Sequence, residues 1–250
     1  MNHYVAGKNA VYECLKAGRR RVFRVFVDRK NSDETVKKIL TLAAQKKVPV
    51  EMTLSPQIVQ QASVQTHQGI IAETAPFEYT PLHDLLKTAT ADSRGGFLLL
   101  CDEIQDPHNF GALLRTAYLL GVHGVVTLKH RSVEVTPAVA KAAAGSVEYL
   151  PVVKEANLIN VIQLLKEKEY FVYGASMGGG QSLYQTPFSG SVALVLGGEG
   201  KGLRDSTIKY CDITVFIPMQ GALDSLNVSV AGGILMGEIA RQRGISKNRL

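Results

Sequence analysis

The sequence predicts an α/β protein in two units: a small α/β unit over residues 1–76, a linker over 77–96, and a larger unit over 97–250 built on a parallel sheet. Three observations carry this expectation. FLLLCDEI at 97–104 and VALVLGG at 192–198 are strand-length runs that are almost wholly apolar, the pattern of strands covered on both faces. From residue 97 onward such strands alternate with helix-length amphipathic segments, as parallel βα layers do. Charge is also divided unevenly. Residues 1–76 hold 12 Lys and Arg against 6 Asp and Glu, while 77–250 hold 16 of each, so the net charge of +6 lies in the first third.

In the first unit, residues 7–17 read as a short helix with Ala10, Val11, Cys14 and Leu15 on its apolar side. VFRVFV at 22–27 alternates and reads as a strand. Asp33 or Ser32 caps a helix that shows Val36, Ile39, Leu40 and Ala43 on one face. VPVEM at 48–52 and GIIAET at 69–74 are further strands, and Ser55-Pro56 starts a short helix in cap-then-proline order. The linker contains Pro81, a helix near 82–89 and the turn-like DSRGG at 92–96. In the second unit, strands are expected at 97–104, 124–128, 170–175, 191–197 and 213–217, with helices at 109–120, 137–144, 155–167 and 226–242 and a helical turn at 203–208. A chain starting near Gly95 should then fold by itself. In such a sheet the active site lies at the carboxyl ends of the strands.

Composition bounds the class. With 250 residues and 46% apolar content, the chain can bury an ordinary core without staples. Cys14, Cys101 and Cys211 are odd in number and far apart, which fits free thiols in a reducing compartment. The six histidines make no metal-ligand spacing, so no metal is expected. No leader-like run opens the sequence, and no apolar run approaches the roughly 20 residues that cross a bilayer. A cytoplasmic protein without a membrane partner is expected. The basic cluster includes Arg19, Arg20, Arg21 and Arg24, which form either a solvated face or a phosphate-facing, RNA-binding patch.

Three segments after strand ends combine glycine with unusual polar groups. In DPHNFGALLRTA, 106–117, Asn109 is a plausible N-cap, and Arg115 stands in an otherwise leucine-rich helix. In LGGEGKGL, 196–203, glycines let a backbone approach a ligand closely. The phosphate-loop pattern fails there, because Val195 and Gly202 stand where it needs Gly and Ser or Thr. The dinucleotide fingerprint fails at Leu203. In IPMQGALDSLNVSVAGG, 217–233, Ser225 or Asp224 is expected to cap the last helix, with Asn227 and Ser229 in its first turns. Gly232 and Gly233 inside a helix cost about 1 kcal/mol each against alanine, which argues close packing there.

Together these segments resemble the SpoU (TrmH-like) family of RNA ribose methyltransferases of the knotted SPOUT superfamily. Asn109, Gly111, Arg115 and Ala117 match its first motif. Gly197, Glu199, Gly200 and Gly202 match its second. Ile217, Pro218, Met219, Ser225, Leu226, Asn227, Ser229, Val230 and Ala231 match its third. THQGIIA at 66–72 resembles the end of the family's L30e-like substrate-binding domain. Among the members, the large-subunit rRNA guanosine branch is most similar.

The resemblance implies a C-terminal trefoil knot, a homodimer and S-adenosylmethionine as methyl donor. Donor contacts are implied for Gly197, Gly198, Ile217, Met219 and Leu226, with Ala175 and Ser176 bordering the donor. A catalytic set of Arg115, Glu199, Ser225, Asn227 and Asn109 is implied, with Arg115 at the ribose or its phosphate. Gly198 stands where relatives more often carry serine or alanine, which should only enlarge the loop's freedom. Structured RNA, and rRNA in particular, is the implied partner. Methylation of tRNA, or RNA binding without catalysis in ribosome assembly, are the competing readings.

Overall fold

A computed structural model of the chain describes residues 3–31, 33–54, 67–200, 202–221 and 225–244. The strands are β1 His3–Ala6, β2 Val22–Asp28, β3 Val50–Thr53, β4 Ile70–Thr74, β5 Phe97–Asp102, β6 Gly124–Leu128, β7 Val152–Glu155, β8 Tyr170–Ser176, β9 Gln181–Ser182, β10 Ser191–Gly197 and β11 Ile213–Phe216. The helices are α1 Lys8–Ala17, α2 Glu34–Gln45, α3 Leu82–Ala89, α4 Pro107–Leu119, α5 Pro137–Ala142, α6 Leu158–Glu167, α7 Asp205–Ile208 and α8 Val228–Gln242. The helix expected at Ser55-Pro56, and Ser32 and Asp224 as caps, lie outside the described residues. The chain divides into two compact units, Met1–Glu78 with Glu134–Tyr149 and Tyr79–Val133 with Leu150–Leu250.

The first unit is a four-stranded mixed sheet in the order β1-β4-β2-β3. β4 runs antiparallel to β1 and β2, and β3 runs parallel to β2. α1 and α2 cover one face. Their apolar stripes (Val11, Cys14, Leu15, Val36, Ile39) meet Val25, Val27, Ile70 and Ala72 of the sheet. Asp33 caps α2, accepting from the Thr35 amide at 2.8 Å. Gly18, at φ 64°, closes α1 by returning its N–H to the Cys14 carbonyl. Among the described residues, Tyr4, Ala6, Phe26 and Ile71 form a small cluster on the other face. β1 was not expected, because four residues with no periodicity give no strand signal before their pairing with β4 is known.

The sequence placed helix 137–144 in the second unit; the structure groups it with the first. The physical reason is a set of polar ties made by the N-terminal arginines. Arg20 forms a forked salt bridge with Glu148, and both side chains are buried. Arg19 donates to the Val147 and Glu78 carbonyls. Tyr149 donates its hydroxyl to Glu13 at 2.6 Å. Glu78, Glu134 and Glu148 enter the first unit with this arrangement, which softens the charge step expected at residue 76.

The second unit is a seven-stranded sheet in the order β7-β6-β5-β10-β8-β11-β9, parallel at every pairing. β5 and β6 are buried along their whole length, as their apolar runs predict. The last long strand, β10, enters between β5 and β8. The order therefore reverses beside β5, and such a switch point opens a crevice at the carboxyl ends of the strands. From Tyr79 on, the stretch read as a linker is part of this unit. Leu85, Leu86 and Ala89 of α3 are buried in its core, and a Cβ on Gly124 would lie 2.4 Å from Leu85. A chain beginning at Gly95 would lose those side chains, so the expectation that it folds unaided is withdrawn. β7 was not expected, and only its Glu155 fell in the helix read as 155–167; Asn157 in fact caps α6 by accepting from the Ile159 amide. No helix among the described residues is long and apolar enough to cross a membrane.

Two predictions arise from this packing. Arg20→Met strands the buried Glu148 carboxylate and should cost about 3–5 kcal/mol. Arg21→Met, at an exposed position, should leave the urea midpoint within error of wild type. Burial pushes the thiols of Cys14 and Cys101 up to about 12 and that of Cys211 to about 11. A thiol reagent at pH 8 should therefore label none of the three quickly before unfolding, and fast labelling of Cys14 in the native protein would contradict this.

Candidate active site

The crevice at the carboxyl ends of β8, β10 and β11 is a cavity of about 310 Å³. Leu196, Val215, Ile217, Leu226 and Leu235 supply apolar walls. The glycine loop after β10 supplies a wall of backbone. All seven residues expected to hold the donor line this cavity: Ala175, Ser176, Gly197, Gly198, Ile217, Met219 and Leu226. Val215, Leu235 and Met177 also line it and were not singled out. Their signals, a strand end, a helix's inner face and a strand-following loop, are common to ordinary core residues.

The loop owes its shape to missing side chains. It doubles back so tightly that a Cβ on Gly197 would lie 2.0 Å from the Gly202 carbonyl carbon. The Gly202 amide donates to the Gly198 carbonyl at 3.1 Å. Gly200 and Gly202 have φ of 77° and 64°, a region that L side chains rarely adopt. A Cβ on Gly198 would meet the Glu103 carbonyl oxygen at 2.6 Å. The expectation that glycine there only loosens the loop is corrected: the position is crowded by backbone, and glycine is what fits.

The polar groups converge at the rim. Asp106, not Asn109, caps α4: its carboxylate accepts from the Asn109 amide at 2.7 Å, with Pro107 at the first helical position. This frees the Asn109 side chain. Its Nδ2 donates to Glu199 Oε1, and its Oδ1 accepts from Asn227 Nδ2 at 3.0 Å. Asn227, rather than Ser225, caps α8. Its Oδ1 accepts from the Ser229 amide at 2.9 Å and the Ser229 hydroxyl at 2.6 Å. Asn109 thus joins Glu199, 90 residues further on, and Asn227, 118 residues further on, in one hydrogen-bonded row, with Ser225 also on the cavity wall.

Arg115 does not line the cavity. It lies six residues beyond Asn109, about 240° further round the helix. It is exposed on the α4 face that also carries exposed Tyr118 and Leu119. Among the described residues it makes no ion pair or hydrogen bond. Nor do the described residues gather three or more His, Cys, Asp or Glu in one place. Two of the four candidate RNA-binding arginines, Arg19 and Arg20, are engaged in the internal ties of the first unit. Arg24 pairs at the surface with Glu51, and Arg21 lies over the Phe23 ring with its charge exposed.

A parallel α/β unit with a crowded glycine loop at its switch point, an apolar slot and a row of amide and carboxylate groups has the features of a methyltransferase. Comparison with known proteins agrees. The SpoU rRNA methylase family matches residues 96–237, and a domain described as RNA 2'-O ribose methyltransferase substrate binding matches residues 4–80. The chain belongs to the SpoU rRNA methylase family, and is thereby an RNA ribose methyltransferase that uses S-adenosylmethionine. It is 34% identical to the 23S rRNA (guanosine-2'-O-)-methyltransferase RlmB of Escherichia coli K12, over 97% of this chain and 100% of that one. YacO of Bacillus subtilis, ascribed to the TrmH family of tRNA/rRNA methyltransferases, is 36% identical over 96% of each chain. In fold, the chain matches the SpoU methyltransferase AviRb of Streptomyces viridochromogenes, a structure in complex with AdoMet, with a TM-score of 0.79 at 22% identity, over 97% of this chain and 90% of that one.

The cavity suits that donor. Its volume is at the lower end of the ~300–1,000 Å³ of small-molecule sites. Among the described residues beyond its chain neighbours, no heavy atom lies within 4 Å of where a Cβ on Gly200 would stand, so the loop offers bare backbone to a ligand.

Gly232 and Gly233 separate in the structure. A Cβ on Gly232 would lie 2.4 Å from Leu113 and 2.7 Å from Leu196, whereas one on Gly233 meets, among the described residues, only Thr116 at 3.9 Å. Gly232→Val should therefore overpack the junction of α8, α4 and β10, lowering stability by about 1–3 kcal/mol. Gly233→Ala should be neutral or stabilising, by up to about 1 kcal/mol of helix propensity. Thermal melts of the two variants check this, and equal losses would refute it.

Proposed function

We propose that the chain methylates the ribose 2'-hydroxyl of a guanosine in 23S rRNA, in the cytoplasm and as a homodimer. The full-length similarity to RlmB carries the choice of substrate. Bound in the cavity, S-adenosylmethionine supplies a methyl group activated by a sulfonium. The backbone at Gly197, Ile217 and Leu226 holds it, with Gly198 and Met219 beside it and Ala175 and Ser176 at its border. Asn109, Glu199, Ser225 and Asn227 orient the acceptor ribose at the rim. Much of the barrier can be removed by such alignment alone. Arg115 engages the ribose or its phosphate and acts by orienting the 2'-oxygen and stabilising the negative charge it develops.

Pairing of two copies is supported by the exposed apolar side chains Tyr118 and Leu119 on α4 and Val230 on α8, and by the open Gly233 and Gly237. A dimer through these helices would put Arg115 at the edge of the shared surface. The trefoil knot is supported by the late entry of β10 between β5 and β8. In RNA capture we assign the main part to Arg21, with Arg24 able to exchange Glu51 for a phosphate.

Labelled methyl transfer to RNA from cells lacking the activity, with the nucleotide mapped, tests the substrate. Label in a 23S guanosine is expected. Label in tRNA would favour the competing acceptor, and RNA binding without transfer would favour an assembly protein. Arg115→Ala should abolish single-turnover methylation while leaving donor affinity within a few fold, and a normal rate would remove Arg115 from the catalytic set. Neutralising Arg21 and Arg24 together should lower the slope of log affinity against log salt by about 0.7–0.9 per lost phosphate contact. Light scattering over a concentration series should report a dimer, and a fully active monomer would refute it.

A further inference from the structure

An ion cluster built on a fully buried carboxylate stands behind the glycine loop. Asp102 closes β5, a strand that is otherwise apolar, and its side chain has no exposed surface. An isolated carboxylate there would be costly. Arg204 satisfies it with a fork: Nε lies 3.1 Å from Oδ2 and Nη2 2.5 Å from Oδ1. Thr207 adds its hydroxyl to Oδ2 at 2.7 Å. The next residue, Glu103, has φ 62°, and its Oε1 lies 3.1 Å from Nη1 of both Arg204 and Arg131. The side chain of Arg204 thus grips two consecutive residues.

The position of the cluster is what gives it meaning. Asp102 and Glu103 begin the connection from β5 to α4, which carries Asn109. Arg204 follows Leu203 at the far end of the glycine loop. The Glu103 carbonyl oxygen is also the atom against which Gly198 packs at the loop's near end. Both ends of the loop are therefore held by the same two residues. Between those ends sits Glu199, hydrogen-bonded to Asn109. A buried ion pair adds little net stability compared with apolar residues of the same size, whereas a fork fixes distance and angle.

We propose that Asp102 and Arg204 are a positioning pair: they register the glycine loop, and Glu199 on it, against the Asn109 end of α4, and so set the rate of methyl transfer without touching donor or RNA. The inference rests on the reading of this cavity as the donor site.

The test uses the full chain with Arg204→Lys, which keeps the charge and loses the fork, and Arg204→Gln, which loses both. Four quantities are read on each protein: S-adenosylmethionine affinity by calorimetry, RNA affinity, single-turnover rate with both substrates saturating, and hydrogen exchange of the 198–203 amides. Arg204→Gln should lose about 100-fold in rate, the scale of a misplacement of about 1 Å. RNA affinity should stay within twofold, and loop exchange should quicken. Arg204→Lys should recover about tenfold of the lost rate. If Arg204→Gln fails to fold, Arg204→Lys carries the test with a rate about tenfold below wild type. A folded Arg204→Lys with wild-type rate and wild-type loop exchange overturns the proposal. So does a rate loss with unchanged loop exchange and an equal loss of RNA affinity, which would mark an effect on RNA binding rather than on the register of the loop. Failure of the wild type to bind the donor would instead overturn the donor-site reading, and loop exchange in the variants would still decide the positioning role.

Discussion

The methyltransferase unit depends on the lack of room beside Gly197 and Gly198. Backbone meets backbone at both positions, at distances no Cβ could share. That contact forces the chain leaving β10 to double back rather than run on into a helix. The turn leaves Gly200 bare toward the cavity and hands Glu199 to the rim. Because the loop is squeezed from both sides, its groups are held before any ligand arrives, and little ordering is left for binding to supply.

The asparagines extend this economy. Asn227 uses one oxygen to cap α8 and its amide nitrogen to reach Asn109. Asn109 can answer because Asp106 has taken over the cap of α4. Capping, which each helix needs in any case, thus doubles as the means of joining three distant segments. A change at Asp106 would therefore be felt at Asn109 without touching the cavity.

Much of this was legible in the sequence, and the failures are physically distinct. Apolar runs announced β5, β6 and β10 because burial on both faces leaves no polar alternation to confuse them. The residues that line the cavity were pointed to by the family resemblance, which the glycine run at 196–203 and the Ser-Leu-Asn string at 225–227 helped to carry. The caps were misassigned since Asp106 and Asn109, or Ser225 and Asn227, are chemically equivalent candidates until the first turn is placed. Asp102 went unremarked although a carboxylate closing a wholly apolar strand is a signal in itself. The internal ties of Arg19 and Arg20 were missed for another reason. Charge counts cannot see Glu148, which lies 128 residues from Arg20 and meets it only in the fold.

The return of Glu134–Tyr149 to the first unit has a consequence for synthesis. Nascent chains emerge N-terminus first, and a domain made of one continuous stretch can fold as soon as it clears the ribosome. This one cannot finish at Glu78, because Arg20 and Glu13 wait for Glu148 and Tyr149. At about 5–20 residues per second, that wait is on the order of 4–14 s. For that interval the amino-terminal unit is an incomplete body with an unanswered charge inside it, exposed to chaperones while β5 and β6 of its neighbour are already being made.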